Sequence, residues 1–318
     1  MKKYLIIDVS NILYRNFFAH KSSGLEIGIG MTLHSAFVSI NYFYQKYKPT
    51  DIVCVFDSSN WRKFYTRSDR CITYKLYKGN RRKNLTSKQL EDYKILDDTI
   101  NDFYDYLKNN TSLITLKANL LEADDIVSGF VEYVVSDKTI LLSSDHDYLQ
   151  LLDNEYLTII DPIKDEELTL DKWDNSVEHF LFEKMIRGDA GDNVMSAYPK
   201  LTTKKIKAAM EDKLLYTNIM NHEFIVEYLD EKGELIKKTY ITKDVYEENE
   251  MLMNLKKQPH LIRNKIYETI CNYTRGKFNY FSFIKMCGKY KLNNILESSN
   301  NFNQCLSLDG GKLELKNN

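Results

Sequence analysis

The sequence predicts an α/β protein: a twisted, mostly parallel sheet flanked by helices, followed by a helical C-terminal domain. Three observations lead there. Short runs of almost wholly apolar residues recur at 4–8, 51–57, 112–116, 139–143 and 156–160, as in strands buried on both faces. Between several of them lie segments with apolar residues at helical spacing. Beyond about residue 171 the pattern becomes helical, apart from one partly alternating stretch.

Taken in order, the run 4–8 ends at Asp8 and leads into a helix start at Ser10 and Asn11. Residues 31–47 place Leu33, Phe37, Ile40, Phe43, Tyr44 and Tyr47 at helical spacing, and Pro49 marks the exit. The run 51–57 repeats the first pattern and closes at Asp57. After the strand at 112–116, residues 121–135 read as a helix with Glu122, Asp124 and Asp125 in its first turn. One or two acids there would answer the helix dipole; three exceed that need. The run 139–143 ends in Asp145 and Asp147, then reopens as an apolar, helix-like pattern. A further strand at 156–160 follows.

Residues 177–186 form a helix that runs into Gly188, Asp189, Gly191 and Asp192, where the glycines break it. Residues 198–210 read as a turn opening a short basic helix, giving a helix-turn-helix-like unit. Residues 224–240 suggest a hairpin about a turn at 230–233. Helices are expected at 245–255, 261–273 and 279–296, and a frayed tail at 307–318. The expected division is an α/β domain at 1–175, carrying a basic insertion at about 61–95, and a helical domain at 176–318.

At 318 residues with 43% hydrophobic content the chain can bury a large core. Lys and Arg (44) nearly cancel Asp and Glu (45), so a partner must be sought in how charge is distributed. The five cysteines are widely spaced, with no paired zinc motif, which favours a reducing compartment. No run is long enough to span a bilayer, and the first apolar run is too short for a signal peptide. A soluble cytoplasmic monomer without membrane contact is expected.

The carboxylates carry the chemistry. Asp8, Asp57, Glu122, Asp124, Asp125, Asp145, Asp147, Asp189 and Asp192 come from strand ends, one helix start and one glycine-broken loop. In a parallel sheet most of them converge on the carboxyl edge, where ligands gather. Such a set repels itself unless cations or shared protons intervene. All-oxygen donors suit Mg²⁺ or Mn²⁺ rather than zinc. Two such ions about 3.5–4 Å apart are the established device for in-line displacement at phosphorus. His146 reads as an ordinary packed or exposed side chain.

A polyanion also needs a grip. Between residues 62 and 88 stand Arg62, Lys63, Arg67, Arg70, Lys75, Lys78, Arg81, Arg82, Lys83 and Lys88, against the single acid Asp69. Trp61, Phe64, Tyr65, Tyr74 and Tyr77 lie among them, so bases could stack while cations neutralise phosphates. A solvated loop is the bland alternative, less favoured because the segment leaves directly after Asp57. Lys200, Lys204, Lys205 and Lys207, near a helix start, suit a duplex backbone read without regard to sequence.

Several motifs together resemble the flap endonuclease family of 5′ nucleases, whose fold is PIN-like. They are Asp8 after a strand, Val55-Phe56-Asp57, Trp61-Arg62, Tyr77 to Arg81, Glu122 to Asp125, Ser144 to Leu151, and Gly188 to Asn193. They span roughly the first two thirds of the chain. The remainder, at 246–252 and 278–285, is most similar to the phage ribonuclease H branch of that family.

The resemblance implies an arch or bridge over the active site and a helix-three-turn-helix element. It assigns Asp8, Asp57, Glu122, Asp124 and Asp145 to one Mg²⁺, and Asp147, Asp189 and Asp192 to a second. Mn²⁺ could stand in for either. Asp125 matches an additional acid of some phage relatives. Lys78 and Arg81 match positions that hold the scissile phosphate. Many relatives carry a glycine-rich turn for a monovalent cation, whereas residues 196–202 read SAYPKLT, so the resemblance does not carry a K⁺ site over. The implied substrates are branched or nicked duplex DNA and RNA–DNA hybrids with a 5′ end or flap, with lagging-strand primer removal as the phage task. Single-strand-binding protein and a sliding clamp are the implied protein partners.

The sequence therefore reads as a Mg²⁺-dependent 5′-3′ exonuclease and flap endonuclease. Two other readings stand beside it. A compact PIN-type ribonuclease would need neither the long basic insertion nor the 188–210 unit. A non-catalytic nucleic-acid-binding module would gain nothing from acids placed beside phosphate.

Overall fold

The computed structural model describes residues 2–81, 83, 85–229 and 233–316. In chain order the elements are β1 (Lys3–Asp8), α1 (Val9–His20), α2 (Leu25–Tyr47), β2 (Asp51–Val55), α3 (Trp61–Tyr65) and α4 (Ser87–Asn110). Then come β3 (Ile114–Leu116), α5 (Ala123–Tyr133), β4 (Lys138–Leu142), β5 (Leu157–Asp161), β6 (Glu166–Glu167) and α6 (Val177–Arg187). The chain continues through α7 (Thr203–Glu211), α8 (Lys213–Met220), β7 (Glu223–Leu229), β8 (Leu235–Ile241), α9 (Thr242–Met253), α10 (His260–Cys271) and α11 (Tyr280–Lys289).

Contacts divide this chain into two compact units, and not at the linear boundary expected near residue 175. One unit comprises Met1–Ser59, Leu85–Thr169 and Leu261–Asn318; the other comprises Asn60–Asn84 and Leu170–His260. The C-terminal segment thus belongs with the sheet, and part of the basic insertion belongs with the later helices.

The first unit is built on a six-stranded sheet in the order β3-β2-β1-β4-β5-β6. Its first five strands are parallel and β6 pairs antiparallel at one edge. β1 and β2 are almost wholly buried, which is why each reads as an unbroken apolar run. The strand order reverses between β1 and β4, so the crevice at their carboxyl ends is the topological switch point of the sheet.

Aromatic rings knit the helices of this unit together. Phe37 of α2 meets Phe103 of α4 at 5.1 Å and Phe283 of α11 at 5.4 Å, both edge to face. The helix expected over 279–296 stops at Lys289: Lys291 takes a left-handed φ of 55°, and a short helix, Asn293–Glu297, follows.

The tail expected to fray is held instead through Lys316. The Val135 amide donates to the Glu314 carbonyl, the Lys316 amide to that of Tyr133, and the Leu313 amide to the Tyr273 hydroxyl.

In the second unit α6, α7 and α8 pack around Phe182, Ile186, Leu201 and Ile206. The hairpin β7–β8 forms as expected, with its register running from Glu223↔Ile241 to Leu229↔Leu235; residues 230–232 of its turn lie outside the described residues.

Candidate active site

Asp8 is the last residue of β1 and lies opposite Val55 of β2, while Ile7 lies opposite Leu142 of β4. Asp57 and Asp145 therefore leave neighbouring strands at the same edge. Asp8 is buried, and both of its oxygens are engaged. The Asn11 amide donates to Oδ1 at 3.0 Å, capping α1, while the Tyr148 hydroxyl donates to Oδ2 at 2.9 Å and the Ser143 hydroxyl at 3.4 Å.

Asp57 is exposed and joins two elements. Its amide donates to Ser10 Oγ at 2.8 Å, and its Oδ1 accepts the Ala123 amide at 2.8 Å, so it also holds the start of α5. Glu122, the N-cap of α5, is buried. Asp124 Oδ1 accepts the Asp125 amide at 2.7 Å. Asp145 is exposed and caps the tight turn His146–Leu151, its Oδ1 accepting the Asp147 amide at 2.9 Å.

Asp125 is placed differently from expectation. It is fully buried, and its Oδ2 accepts the Glu122 amide at 3.1 Å to close a capping box. Closing the first turn of α5 leaves it a positioning part rather than an open ligand. His146 is exposed, in keeping with its ordinary reading.

Electrostatics bind the remaining acids into one group. Burial pushes the Asp8 carboxyl up to about 7, with Asp57 and Asp145 adding to the rise against the opposing Asn11 amide and Tyr148 hydroxyl. Burial also holds the Tyr148 phenol well above its ordinary range, reinforced by Asp8, Asp124 and Asp145. Asp57 and Asp145 thus make Asp8 harder to ionise, and a divalent cation reverses that penalty. The donor set is all hard oxygen, which fits Mg²⁺ or Mn²⁺. Among the described residues no three His, Cys, Asp or Glu side chains close into a ready cage. Magnesium prefers one or two direct carboxylates with water and phosphate oxygens completing its shell, so the other acids of such a group would act through its waters.

The second unit carries its own charged group. Gly188 ends α6 with φ of 65°, and a Cβ there would stand 2.5 Å from the Met195 carbonyl oxygen, so the break requires glycine. Asp189 and Val194 exchange backbone hydrogen bonds, and Asp189 Oδ1 accepts the Asp192 amide at 2.9 Å. Residues 77–81 then lock onto this loop. The Lys78 amide donates to the Asp192 carbonyl at 2.7 Å, and the Asn193 side chain to the Leu76 carbonyl at 2.9 Å.

The Asp192 carboxylate accepts from Tyr77 Oη at 2.6 Å and Arg81 Nη2 at 2.5 Å, and Lys78 Nζ stands 3.6 Å away. Burial would raise its pKa, but Lys78, Tyr77 and Arg81 outweigh burial and hold the carboxyl below the ordinary range. Asp189 pairs with Lys184 at 3.5 Å. Lys78 and Arg81, expected to grip phosphate, are thus partners of Asp192, one of the acids expected to bind a second ion.

Arg62, expected at the nucleic-acid surface, is buried. Its guanidinium lies 4.9 Å from the Trp61 ring and 5.8 Å from that of Tyr77, and its Nε donates to the Leu252 carbonyl at 2.6 Å. Held so, it braces the segment and does not present charge to a phosphate. Arg67, Arg70 and Lys83 are exposed and Lys75 is half-buried, while Arg82 lies outside the described residues. Lys200, Lys204, Lys205 and Lys207 are exposed, with Lys207 paired to Asp174 at 2.7 Å.

Tyr148 and Glu248 were not singled out from the sequence. Glu248 is buried in α9 and accepts the Ile72 amide at 2.6 Å, the Thr73 amide at 3.2 Å and the Tyr65 hydroxyl at 3.2 Å. The strongest signal for Tyr148 was its position three residues after Asp145, where it passed as one more apolar residue.

The family model of the 5′-3′ exonuclease, N-terminal resolvase-like domain matches residues 3–180. Among solved structures the chain is similar to the D15 protein of bacteriophage T5 co-crystallised with metal ions. That likeness has a TM-score of 0.60 and 17% identity, covering 93% of this chain and 99% of that one. It is also similar to a bacteriophage T5 D15 flap endonuclease variant in a pseudo-enzyme–product complex with DNA and metal ions. Here the TM-score is 0.58 at 17% identity, with 94% and 100% coverage. The T5 5′-exonuclease with bound zinc gives a TM-score of 0.60 at 18% identity, with 93% and 99% coverage. At such identities the likeness shows the fold. No curated protein matches the chain in sequence.

Proposed function

We propose, from the premise that this chain belongs to the 5′-3′ exonuclease family, the flap endonuclease family of 5′ nucleases, that it is a Mg²⁺-dependent nuclease cutting at 5′ ends and flaps. The substrates proposed are duplex DNA and RNA–DNA hybrids carrying a 5′ end or flap, and the task is removal of lagging-strand RNA primers in phage replication. The observation that carries this reading is the placement of Asp8, Asp57 and Asp145 at adjoining strand ends.

When bound, divalent ions would supply a nucleophile at neutral pH and charge stabilisation at the phosphate. Asp8, Asp57, Glu122, Asp124 and Asp145 would hold the first, and Asp147 stands beside them toward a second. The chain's own residues prepare that role. Tyr148 and the Asn11 amide orient the Asp8 carboxylate, and Asp125 holds Glu122 in place. Within the second unit, Lys78 and Arg81 are proposed to bind the scissile phosphate. A role of Asp189 and Asp192 as ion ligands asks Lys184, Lys78 and Arg81 to exchange their present partners. Arg67, Arg70, Lys75 and Lys83 are proposed to track a single strand, and Lys200, Lys204 and Lys205 a duplex backbone.

The test is cleavage of a duplex bearing a 5′-labelled RNA primer or flap, in Mg²⁺, Mn²⁺ and EDTA, by wild type and Asp145→Asn. Short metal-dependent 5′ products that vanish in the variant are expected. Binding without cleavage under every metal would point instead to a non-catalytic module.

A further inference from the structure

On the β3 edge of the sheet lies a polar cleft of about 220 Å³ between α4, β3 and the end of α10. Lys108, Lys117 and Lys265 line it, against Glu268 as the single acid in its wall, and Tyr104 and Tyr273 form aromatic sides. Lys108 lies on α4, Lys265 on α10 and Lys117 just after β3, so no single helix face explains their convergence. Lys117 and Lys108 lie 5.0 Å and 5.5 Å from the Tyr104 ring, and Lys117 donates to Asn101 Oδ1 at 2.7 Å. Their stems are therefore braced.

A second observation is independent of the lysines. Thr115 stands on β3, the edge strand, is 5% exposed, and its hydroxyl has no hydrogen-bond partner among the described residues. It lines the same cleft. A buried hydroxyl without a partner is unfavourable, so one on a residue that lines a cleft points to a ligand that completes it.

We propose that this cleft binds a nucleoside phosphate, its phosphate among Lys108, Lys117 and Lys265 with the Thr115 hydroxyl donating, and its nucleoside against the tyrosine walls. Compact ammonium groups suit phosphate as point charges, and the rings distinguish a nucleotide from a bare oxyanion. The nucleotide could be free or part of a strand. The cleft is defined without reference to the nuclease reading and stands or falls by itself.

The test is ¹⁹F NMR of fluorotyrosine-labelled full-length protein in EDTA, with the Tyr104 and Tyr273 signals assigned by Phe substitution. Inorganic phosphate, a nucleoside 5′-monophosphate and a short single-stranded oligonucleotide are titrated in turn. The monophosphate should move both signals, with at least tenfold weaker binding in Lys117→Met/Lys265→Met. The near-isosteric Thr115→Val should weaken it about threefold to tenfold without altering the melting temperature. Oligonucleotide binding tenfold tighter than the monophosphate would identify a strand as the source; equal binding would identify the free nucleotide. Unmoved signals, binding indifferent to all these substitutions, or inorganic phosphate binding as tightly as the nucleotide would overturn the proposal.

Discussion

The Tyr148 hydroxyl donates to the buried Asp8 carboxylate at 2.9 Å, at the end of the strand on which the sheet is centred. A hydrogen bond to a charged acceptor contributes about 1.5–3 kcal/mol, here in favour of the ionised acid. In Tyr148→Phe the proton should compete better with a cation. The Mg²⁺ concentration for half-maximal cleavage should rise about tenfold at pH 7, and the gap should narrow as pH is raised. An unchanged Mg²⁺ titration would separate Tyr148 from the metal.

The same carboxylate gives the metal-free protein a pH dependence. In the unfolded chain Asp8 titrates near the ordinary 3.8, and in the folded one at about 7. A raised carboxylate pKa leaves stability untouched below the unfolded value and lowers it progressively up to the folded one. In EDTA, the urea midpoint of wild type relative to Asp8→Asn should therefore fall between pH ~4 and ~7 and level off above. A difference that grows with pH beyond 8 would contradict the assignment.

What was legible in the sequence and what was not follow from the range of the interactions. β1, β2 and β4 could be read because strands buried on both faces are continuously apolar, and their terminal acids break that run visibly. Arg62 could not, because its burial depends on Tyr77 and on a carbonyl 190 residues away, at Leu252. Asp125 looked like its neighbours Asp124 and Glu122; its different role appears once the first turn of α5 exists to be capped. The ordered tail was hidden for the same reason, since residues 310–316 pair with Asp51, Tyr133 and Val135 far back in the chain.

Glu248 anchors the basic segment at residues 72 and 73. Glu248→Ala leaves the Ile72 and Thr73 amides and the Tyr65 hydroxyl without that acceptor. Local opening should become easier by about 1–3 kcal/mol. Tryptic cleavage after Arg67 and Arg70 should accelerate at least fivefold, since proteolysis of a rapidly reclosing segment follows its open population. Equal rates in wild type and variant would show that other contacts hold the segment.

Lys78 has a left-handed backbone, φ 55°, and its amide donates a hydrogen bond to the Asp192 carbonyl. Lys78→Ala removes the ammonium and its stem, whereas Lys78→Met keeps the stem. Both should slow single-turnover cleavage at least tenfold while changing substrate affinity less than threefold, because one phosphate contact contributes little to overall binding. An unchanged single-turnover rate in Lys78→Met would remove it from the chemistry.

Gly310 meets the buried Asp51 at the start of β2. Its amide donates to Asp51 Oδ1 at 3.1 Å, Arg275 Nη1 donates to the same oxygen at 2.7 Å, and Arg275 Nη2 donates to the Gly311 carbonyl at 2.8 Å. A Cβ on residue 310 would stand 2.1 Å from Asp51 Oδ2 and 2.6 Å from the Thr50 carbonyl oxygen, so backbone as well as side chain obstructs it. Gly310→Ala must therefore push the tail away and take the Gly310 amide from a buried carboxylate that Arg275 still holds. The loss should lie below the about 3–5 kcal/mol of breaking the ion pair itself, at about 2 kcal/mol. Hydrogen exchange should rise at the Val135 and Lys316 amides, which the tail protects, while β1 amides remain slow. Wild-type protection at Val135 would show that the tail docks through its later residues alone.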